Sequence, residues 1–133
     1  MTYLLDTNTC IKYLNGKSEE IRNNLESQQP EEITVCSIVK AELFYGALKS
    51  GRPKENLEKV QRFLDRFISL PFDDSAAEKY GEIRATLEKA GTPIGPNDLF
   101  IAAIAAANKT ILVTHNTREF RRVVELTLED WEK

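Results

Sequence analysis

The chain is poor in the residues that build small metal or redox frameworks: one histidine, two cysteines and one tryptophan in 133 residues. A structural zinc site wants about four nitrogen or sulfur ligands, and His115, Cys10 and Cys36 fall short of that. Two cysteines make no disulfide framework, so a reducing cytoplasm is the expected compartment, and both are read as packing residues. No apolar run approaches the ~20 residues of a membrane span; the longest, Leu99–Ala107, has nine. A signal-peptide pattern is missing too, because Lys12 follows the first apolar run instead of preceding it. Repeats, low-complexity tracts and linkers are absent, and the length fits one domain, 1–133.

What is present is ordinary in amount and informative in arrangement. Hydrophobic residues make up 41% and charged residues 29%, with a net charge of −3, which argues against a protein that coats nucleic acid non-specifically. Bases are concentrated locally, however: Lys40, Lys49, Arg52, Lys54, Lys59, Arg62 and Arg66 outnumber the acids between them, and Arg118, Arg121 and Arg122 form a second group. On charge alone these are solvated faces.

Short β-branched runs alternate with amphipathic helices, the pattern of a mostly parallel sheet with helical crossovers. Strands are predicted at Thr2–Leu5, Ile33–Cys36, Ile68–Leu70, Ile111–Val113 and near Val124–Leu128. Helices are predicted at Thr7–Leu14, from a Ser18 cap to about Ser27, and from a Ser37 cap to about Leu48. A further helix opens at Pro53 and carries Leu57, Val60, Phe63, Leu64, Phe67 and Ile68 on one face. Ser75 and Glu78 have capping-box spacing for a helix ending at Gly91. Asn97 is the expected cap of the next, whose body Leu99–Ala107 has no polar face and is therefore expected to be central. Thr114–Glu119 reads as a polar turn, and Trp131 as a packing residue near the chain end. The fold class is α/β: one domain, with a mostly parallel central sheet of four to five strands and helices on both faces.

Four polar residues stand out against these elements. Asp6 is the first residue past strand one, Glu42 lies early in the helix after strand two, Asp98 lies in the first turn of the apolar helix, and Asn116 just follows the strand Ile111–Val113. In a parallel sheet, strand C-termini and the following helix N-termini share one edge. Each of the three acids also has a plainer role: Asp6 as a helix cap, Glu42 as a surface residue, Asp98 as a helix-opening acid. If the acids converge, two carboxylates ~4 Å apart repel by about 4 kcal/mol at an effective dielectric of ~20. Helix N-termini offset roughly 0.3–1 kcal/mol each, which leaves proton uptake or a cation to do the rest. Oxygen ligands without histidine suit Mg²⁺ or Mn²⁺.

Leu5-Asp6-Thr7-Asn8, the segment Ser37…Ala41-Glu42-Leu43…Gly46, Gly95-Pro96-Asn97-Asp98-Leu99…Ile101-Ala102-Ala103 and Leu112-Val113-Thr114-His115-Asn116…Glu119-Phe120 resemble the PIN-domain ribonucleases, and more closely the VapC-type toxins of bacterial toxin–antitoxin pairs. The four blocks run in order over nearly the whole chain. The resemblance implies an Mg²⁺- or Mn²⁺-dependent endoribonuclease acting on RNA, with tRNA a common substrate in the family. It also implies a homodimer and a cognate VapB-like antitoxin whose C-terminal segment covers the active-site groove. By position, Asp6, Glu42 and Asp98 match the metal-binding carboxylates, and Thr114 a small hydroxyl residue at the end of the fourth strand. Asn116 departs from the pattern, since many PIN domains have an acid there, and Glu119 is the candidate replacement. Asn8 is expected to orient Asp6 by hydrogen bonding. Lys40, Lys49, Arg52, Arg118 and Arg121 become candidate RNA-backbone contacts. His115 adjoins the expected site and is read as a surface-packing or loop-stabilising residue ahead of a substrate contact. A single histidine cannot provide the paired acid and base of a ribonuclease that uses the 2′-hydroxyl, so water is the expected nucleophile.

Two other classes fit parts of the pattern. Asp6-Thr7-Asn8-Thr9 echoes the Asp-x-Asp-x-Thr opening of haloacid-dehalogenase-type phosphatases, but the second acid is Asn8 and the pair Asp73-Asp74 reads as a helix cap. A non-catalytic interaction module of the receiver type would carry adjacent acids after strand one, where only Asp6 stands.

Overall fold

Tyr3–Leu5 forms β1 at the centre of a five-stranded, wholly parallel sheet of order β3-β2-β1-β4-β5. The other strands are Ile33–Cys36 (β2), Ile68–Leu70 (β3), Ile111–Val113 (β4) and Thr127–Glu129 (β5). The computed structural model describes residues 1–133 throughout. Leu4 and Leu5, all of β2 and all of β4 are buried, so the three central strands carry the core, while β3 at the edge leaves Ile68 exposed.

The helices are α1 (Thr7–Leu14), α2 (Glu19–Glu26), α3 (Ser37–Leu48), α4 (Pro53–Leu64), α5 (Asp74–Lys89), α6 (Pro96–Asn108) and α7 (Thr117–Phe120), with a 3₁₀ turn at Pro30–Glu32. From β1 the chain steps outward to β2 and β3, then returns across β1 to β4 and β5. Right-handed crossovers therefore put α1–α4 on one face and α5–α7 on the other. The two directions of winding diverge at β1 and β4, and the crevice beyond the strand C-termini at such a point is where open α/β sheets bind ligands. Asp6 and Thr114 are the residues that leave those two strands.

The apolar run does become the central helix. Leu99 and Ile101–Ala105 of α6 are buried, and α6 packs along α5 and reaches β4 and α3. An aromatic group welds this face: Phe100 stacks on Tyr80 at 4.8 Å and meets Phe72 edge-on at 5.0 Å. Trp131 is buried against Tyr3, with ring centroids 5.3 Å apart. Cys10 and Cys36 are buried free thiols in the core, and burial pushes both up from their ordinary pKa.

The helix starts differ from the sequence reading in ways that matter for the site. Helix α3 starts one residue early: Ser37 is its first residue and Cys36 its cap, without a side-chain bond. The Ser75–Glu78 box does not form, because Asp73 accepts from the Ala76 N–H at 3.0 Å and starts α5 earlier. Asn97 is not a cap either. Pro96, with its fixed φ and missing donor, takes the first position of α6 behind Gly95, which frees the Asn97 side chain. Helix α4 stops at Leu64, before Phe67 and Ile68, and the Thr114–Glu119 turn contains the short α7. The last strand lies at Thr127–Glu129 because Val124 is 94% exposed, so the apolar reading of that segment fails. No helix is long and apolar enough to cross a membrane.

Candidate active site

Asp6 does cap α1, through Oδ1 accepting the Thr9 N–H at 2.8 Å, and this bond aims the carboxylate from the end of β1. Asp6 is 6% exposed. Burial raises its pKa, hydrogen bonds from Thr114 and Thr9 pull back, and the charge of Glu132 adds to the rise. Thr114, fully buried at the end of β4, also accepts the Asn116 N–H at 3.0 Å, so one hydroxyl ties the β4 loop to Asp6. Asn8 does not orient Asp6. It is exposed and makes no hydrogen bond to the carboxylate, whose partners are Thr9 and Thr114. Two residues on from the cap, its side chain leaves on another face of the helix.

Glu42, in the second turn of α3, is held at both oxygens. The Thr7 hydroxyl donates to Oε1, and the Asn97 amide donates to Oε2 at 3.0 Å. These two bonds join α3 to α1 and α6, and bring Glu42 to the edge that Asp6 occupies.

Asp98 and Glu119 meet beside Gly95. A methyl group built on Gly95 would stand 3.7 Å from Glu119 Oε1 and 4.0 Å from Asp98 Oδ2. Glu119 accepts the Gly95 N–H at 2.8 Å and the Asn116 side-chain amide at 3.4 Å, and these bonds, the Gly95 amide first, hold its pKa below the ordinary glutamate value. Asp98 moves the opposite way, to about 7, through burial first and then the charge and hydrogen bond of Glu119, with Asp6 and Glu42 adding to the rise. The loop at 92–96 thus delivers Asp98 to the same edge as Asp6 and Glu42. Glu119 supplies a fourth carboxylate, and Asn116 supports it instead of replacing it.

The donors are all oxygen and the charge is in excess, which fits a hard divalent cation. The oxygens of Asp6, Glu42 and Asp98 do not all lie within 4.8 Å of one another; the group that does is His115, Asp130 and Glu132. Mg²⁺ keeps several of its waters when bound, so acids that stand apart suit it. The histidine group has a different task. His115 Nδ1 is 2.9 Å from Asp130 Oδ2 and 3.5 Å from Glu132 Oε2, and Lys12 pairs with the other oxygen of Glu132. These bonds fasten the C-terminal residues across the β4 loop and α1, and the Lys12 charge already compensates Glu132.

The candidate RNA contacts divide. Lys49 is exposed, lies 4.9 Å from the centroid of the Tyr45 ring, and lines a groove that starts at Glu42. Lys40 is half-buried on α3. Arg52 pairs with Glu55 at 3.4 Å, and Arg118 and Arg121 stand exposed around α7, near Glu119 in sequence. Arg122 is tied to the Pro93 carbonyl at 2.8 Å. The sequence reading missed the role of Asn97 and of the Gly95 amide, and the place of Tyr45 in the groove wall. A signal existed for Tyr45, since Ile38, Glu42, Tyr45 and Lys49 recur at three- and four-residue spacing and so share one stripe of α3.

A parallel sheet with four acids at its switch-point edge has the make-up of the acid-centred α/β nucleases. Residues 3–126 match the PIN domain model, and the chain belongs to the PIN-domain family, alongside its VapC ribonucleases. It is 42% identical over 134 residues to Ribonuclease VapC2 of Rickettsia felis, covering 100% of both chains. It is also 42% identical over 133 residues to the tRNA(fMet)-specific endonuclease VapC of Salmonella typhimurium, covering 98% of each. Among solved structures, the DNA-bound VapBC of Salmonella typhimurium superposes with a TM-score of 0.93 at 41% identity, with 98% of each chain covered.

Proposed function

We propose that this chain is the toxin of a VapBC-type pair, an endoribonuclease that hydrolyses tRNA, with tRNA(fMet) as the first substrate to test. The tRNA(fMet)-specific Salmonella typhimurium relative supports the substrate, and the VapBC neighbours support a VapB-like antitoxin partner. A homodimer, joined with the antitoxin into a larger assembly, goes with that reading. The observation that carries it is the meeting of acids at the β1/β4 edge: Asp6 ends β1, Glu42 is held toward it by Thr7 and Asn97, and Asp98 and Glu119 both stand beside Gly95. Burial and the Glu119 charge push Asp98 up to about 7, which is the direction expected of uncompensated acids.

Asp6, Glu42 and Asp98, with Glu119 beside them, are the residues that would hold Mg²⁺ or Mn²⁺. A bound cation there would stabilise charge on the phosphoryl oxygens and acidify a nearby water. The chain's own part is to arrange the reactants. Thr9 and Thr114 fix Asp6, Thr7 and Asn97 fix Glu42, and the Gly95 amide and Asn116 keep Glu119 ionised. With no histidine pair to activate a 2′-hydroxyl, an in-line attack by water leaves 5′-phosphate and 3′-hydroxyl ends.

Purified protein incubated with tRNA(fMet) should cut it in Mg²⁺ or Mn²⁺, stop in EDTA, and leave ends that ligate as 5′-phosphates. Ends carrying 2′,3′-cyclic phosphate, or cutting that persists in EDTA, would sink the mechanism.

A further inference from the structure

A groove of about 630 Å³ begins at Thr7 and Glu42 and continues between α1, α3 and α6, away from the acid cluster. Its volume is in the range of small-ligand sites. Four features give it a definite chemistry. Tyr45, in its wall, is 65% exposed, an unusual outlay of aromatic surface in solvent. The Lys49 ammonium lies over the Tyr45 ring, 4.9 Å from its centroid, so one face of the ring carries a cation and a base would stack on the other. Phe100 closes another part of the wall and is held by Tyr80 and Phe72. Asn8 and Asn97 bring amides to the same space; Asn8 has no protein partner, and Asn97 spends one donor on Glu42 and keeps its carbonyl oxygen free.

We infer that this groove is a nucleobase subsite, taking one unpaired base of the RNA next to the phosphodiester at the acid edge. The inference rests on the ribonuclease reading above and deepens it. Recognition of RNA single strands combines aromatic faces for stacking, cations for the backbone and polar groups for base edges, and all three line this groove. Amides suit base edges because they both donate and accept. Continuity with the acids decides the occupant: Glu42 belongs to both the groove and the cluster, so a strand whose phosphate reaches the acids passes its neighbouring nucleotide along Tyr45. The floor is open as well, with no atom within 4 Å of a methyl group built on Gly46.

The cut in tRNA(fMet) is mapped first. A synthetic RNA spanning it is then made intact and with the base deleted, one at a time, from the nucleotides flanking the cut. Tyr45→Ala should lower kcat/KM on the intact RNA roughly ten- to one-hundred-fold, the loss of one base stack, while Tyr45→Phe retains activity because stacking needs the ring. Deleting the base that the groove holds should cost wild type a similar factor and cost Tyr45→Ala nothing further. Gly46→Leu fills the groove with a good helix former and should reproduce the Tyr45→Ala defect without lowering the melting temperature. Independent, multiplying losses from the base deletion and Tyr45→Ala would overturn the subsite, as would no loss from either. So would a Tyr45→Ala protein that cuts RNA like wild type and fails only to bind its antitoxin, which would make the groove a peptide surface. If wild type cuts no RNA at all, the ribonuclease reading falls, and this one with it.

Discussion

The two walls of the acid edge hold their carboxylates by opposite means. On the α3 wall, Glu42 receives a hydrogen bond at each oxygen from neutral donors, Thr7 and Asn97, so its charge is matched by dipoles fixed in two other helices, α1 and α6. On the α6–α7 wall, Asp98 and Glu119 crowd one another, and the amides of Gly95 and Asn116 both serve Glu119. Asp98 is left with burial and repulsion, and is pushed to about 7. One wall is complete as folded; the other is balanced only by a proton or a cation. The geometry of the site is therefore set from α3, and its demand for positive charge comes from Asp98.

Removing the unbalanced acid breaks that contrast most severely. Asp98→Asn keeps the shape and hydrogen-bonding size of the side chain but deletes the charge. Loss of an outer-shell partner typically costs 10–100-fold in metal affinity or activity, so loss of a carboxylate in the cluster itself should cost more than about 100-fold in the rate of RNA cleavage. Initial rates on tRNA(fMet) at saturating Mn²⁺ measure it. A variant within tenfold of wild type would mean that Glu119, not Asp98, is the acid that counts on this wall.

The α3 wall should fail more gently. Asn97→Ala removes one of the two donors to Glu42 and lets the carboxylate swing, with an expected loss of about tenfold in Mn²⁺ affinity and in cleavage. Binding of Mn²⁺ followed by electron paramagnetic resonance, which does not depend on turnover, separates this from a folding defect. Full Mn²⁺ affinity in Asn97→Ala would show that Thr7 alone suffices to hold Glu42.

The same contrast separates what the amino-acid sequence makes legible from what only the fold reveals. Strands Ile33–Cys36, Ile68–Leu70 and Ile111–Val113 and helix Thr7–Leu14 were legible to the residue, because short β-branched runs and punctuating Asp, Asn and Gly leave few alternatives. Asp6, Glu42 and Asp98 were legible as acids near element starts, and the sheet order then puts those starts on one edge. What supports them was not legible. Asn97 carries the sequence signature of a cap, and only the competition from Gly95 and Pro96 for the helix start frees it to reach Glu42, 55 residues away in sequence. Asn8 failed for a related reason: adjacency in sequence suggested contact with Asp6, whereas the helix turns the two side chains apart. Glu119 was anticipated as a stand-in for Asn116, but the cooperation between them depends on the turn of α7 and the Gly95 amide, neither of which leaves a periodic trace.

The smallest effect is on stability, and it has a definite sign. The Asp98 carboxyl holds its proton up to about pH 7 in the folded protein and only to about 3.8 as an ordinary aspartate. Between those values the folded state binds the extra proton, so this residue makes stability fall as pH rises, and above 7 the cost is complete. Glu119, held low, contributes in the other direction: its stabilisation is present above its ordinary value of 4.5 and is lost as pH drops through the folded value. Asp98→Asn should therefore raise the melting temperature of metal-free protein at pH 8, and the gain should fade toward pH 4. The shift in proton affinity would be worth several kcal/mol if the group were sealed from water. Asp98 is only half-buried, so after solvent screening about 1 kcal/mol is the expected gain, or about 4 °C. Added Mn²⁺ should stabilise wild type by mass action and stabilise the variant far less. An equal gain at pH 4 and pH 8 would trace the effect to helix α6 itself and remove Asp98 repulsion from the account.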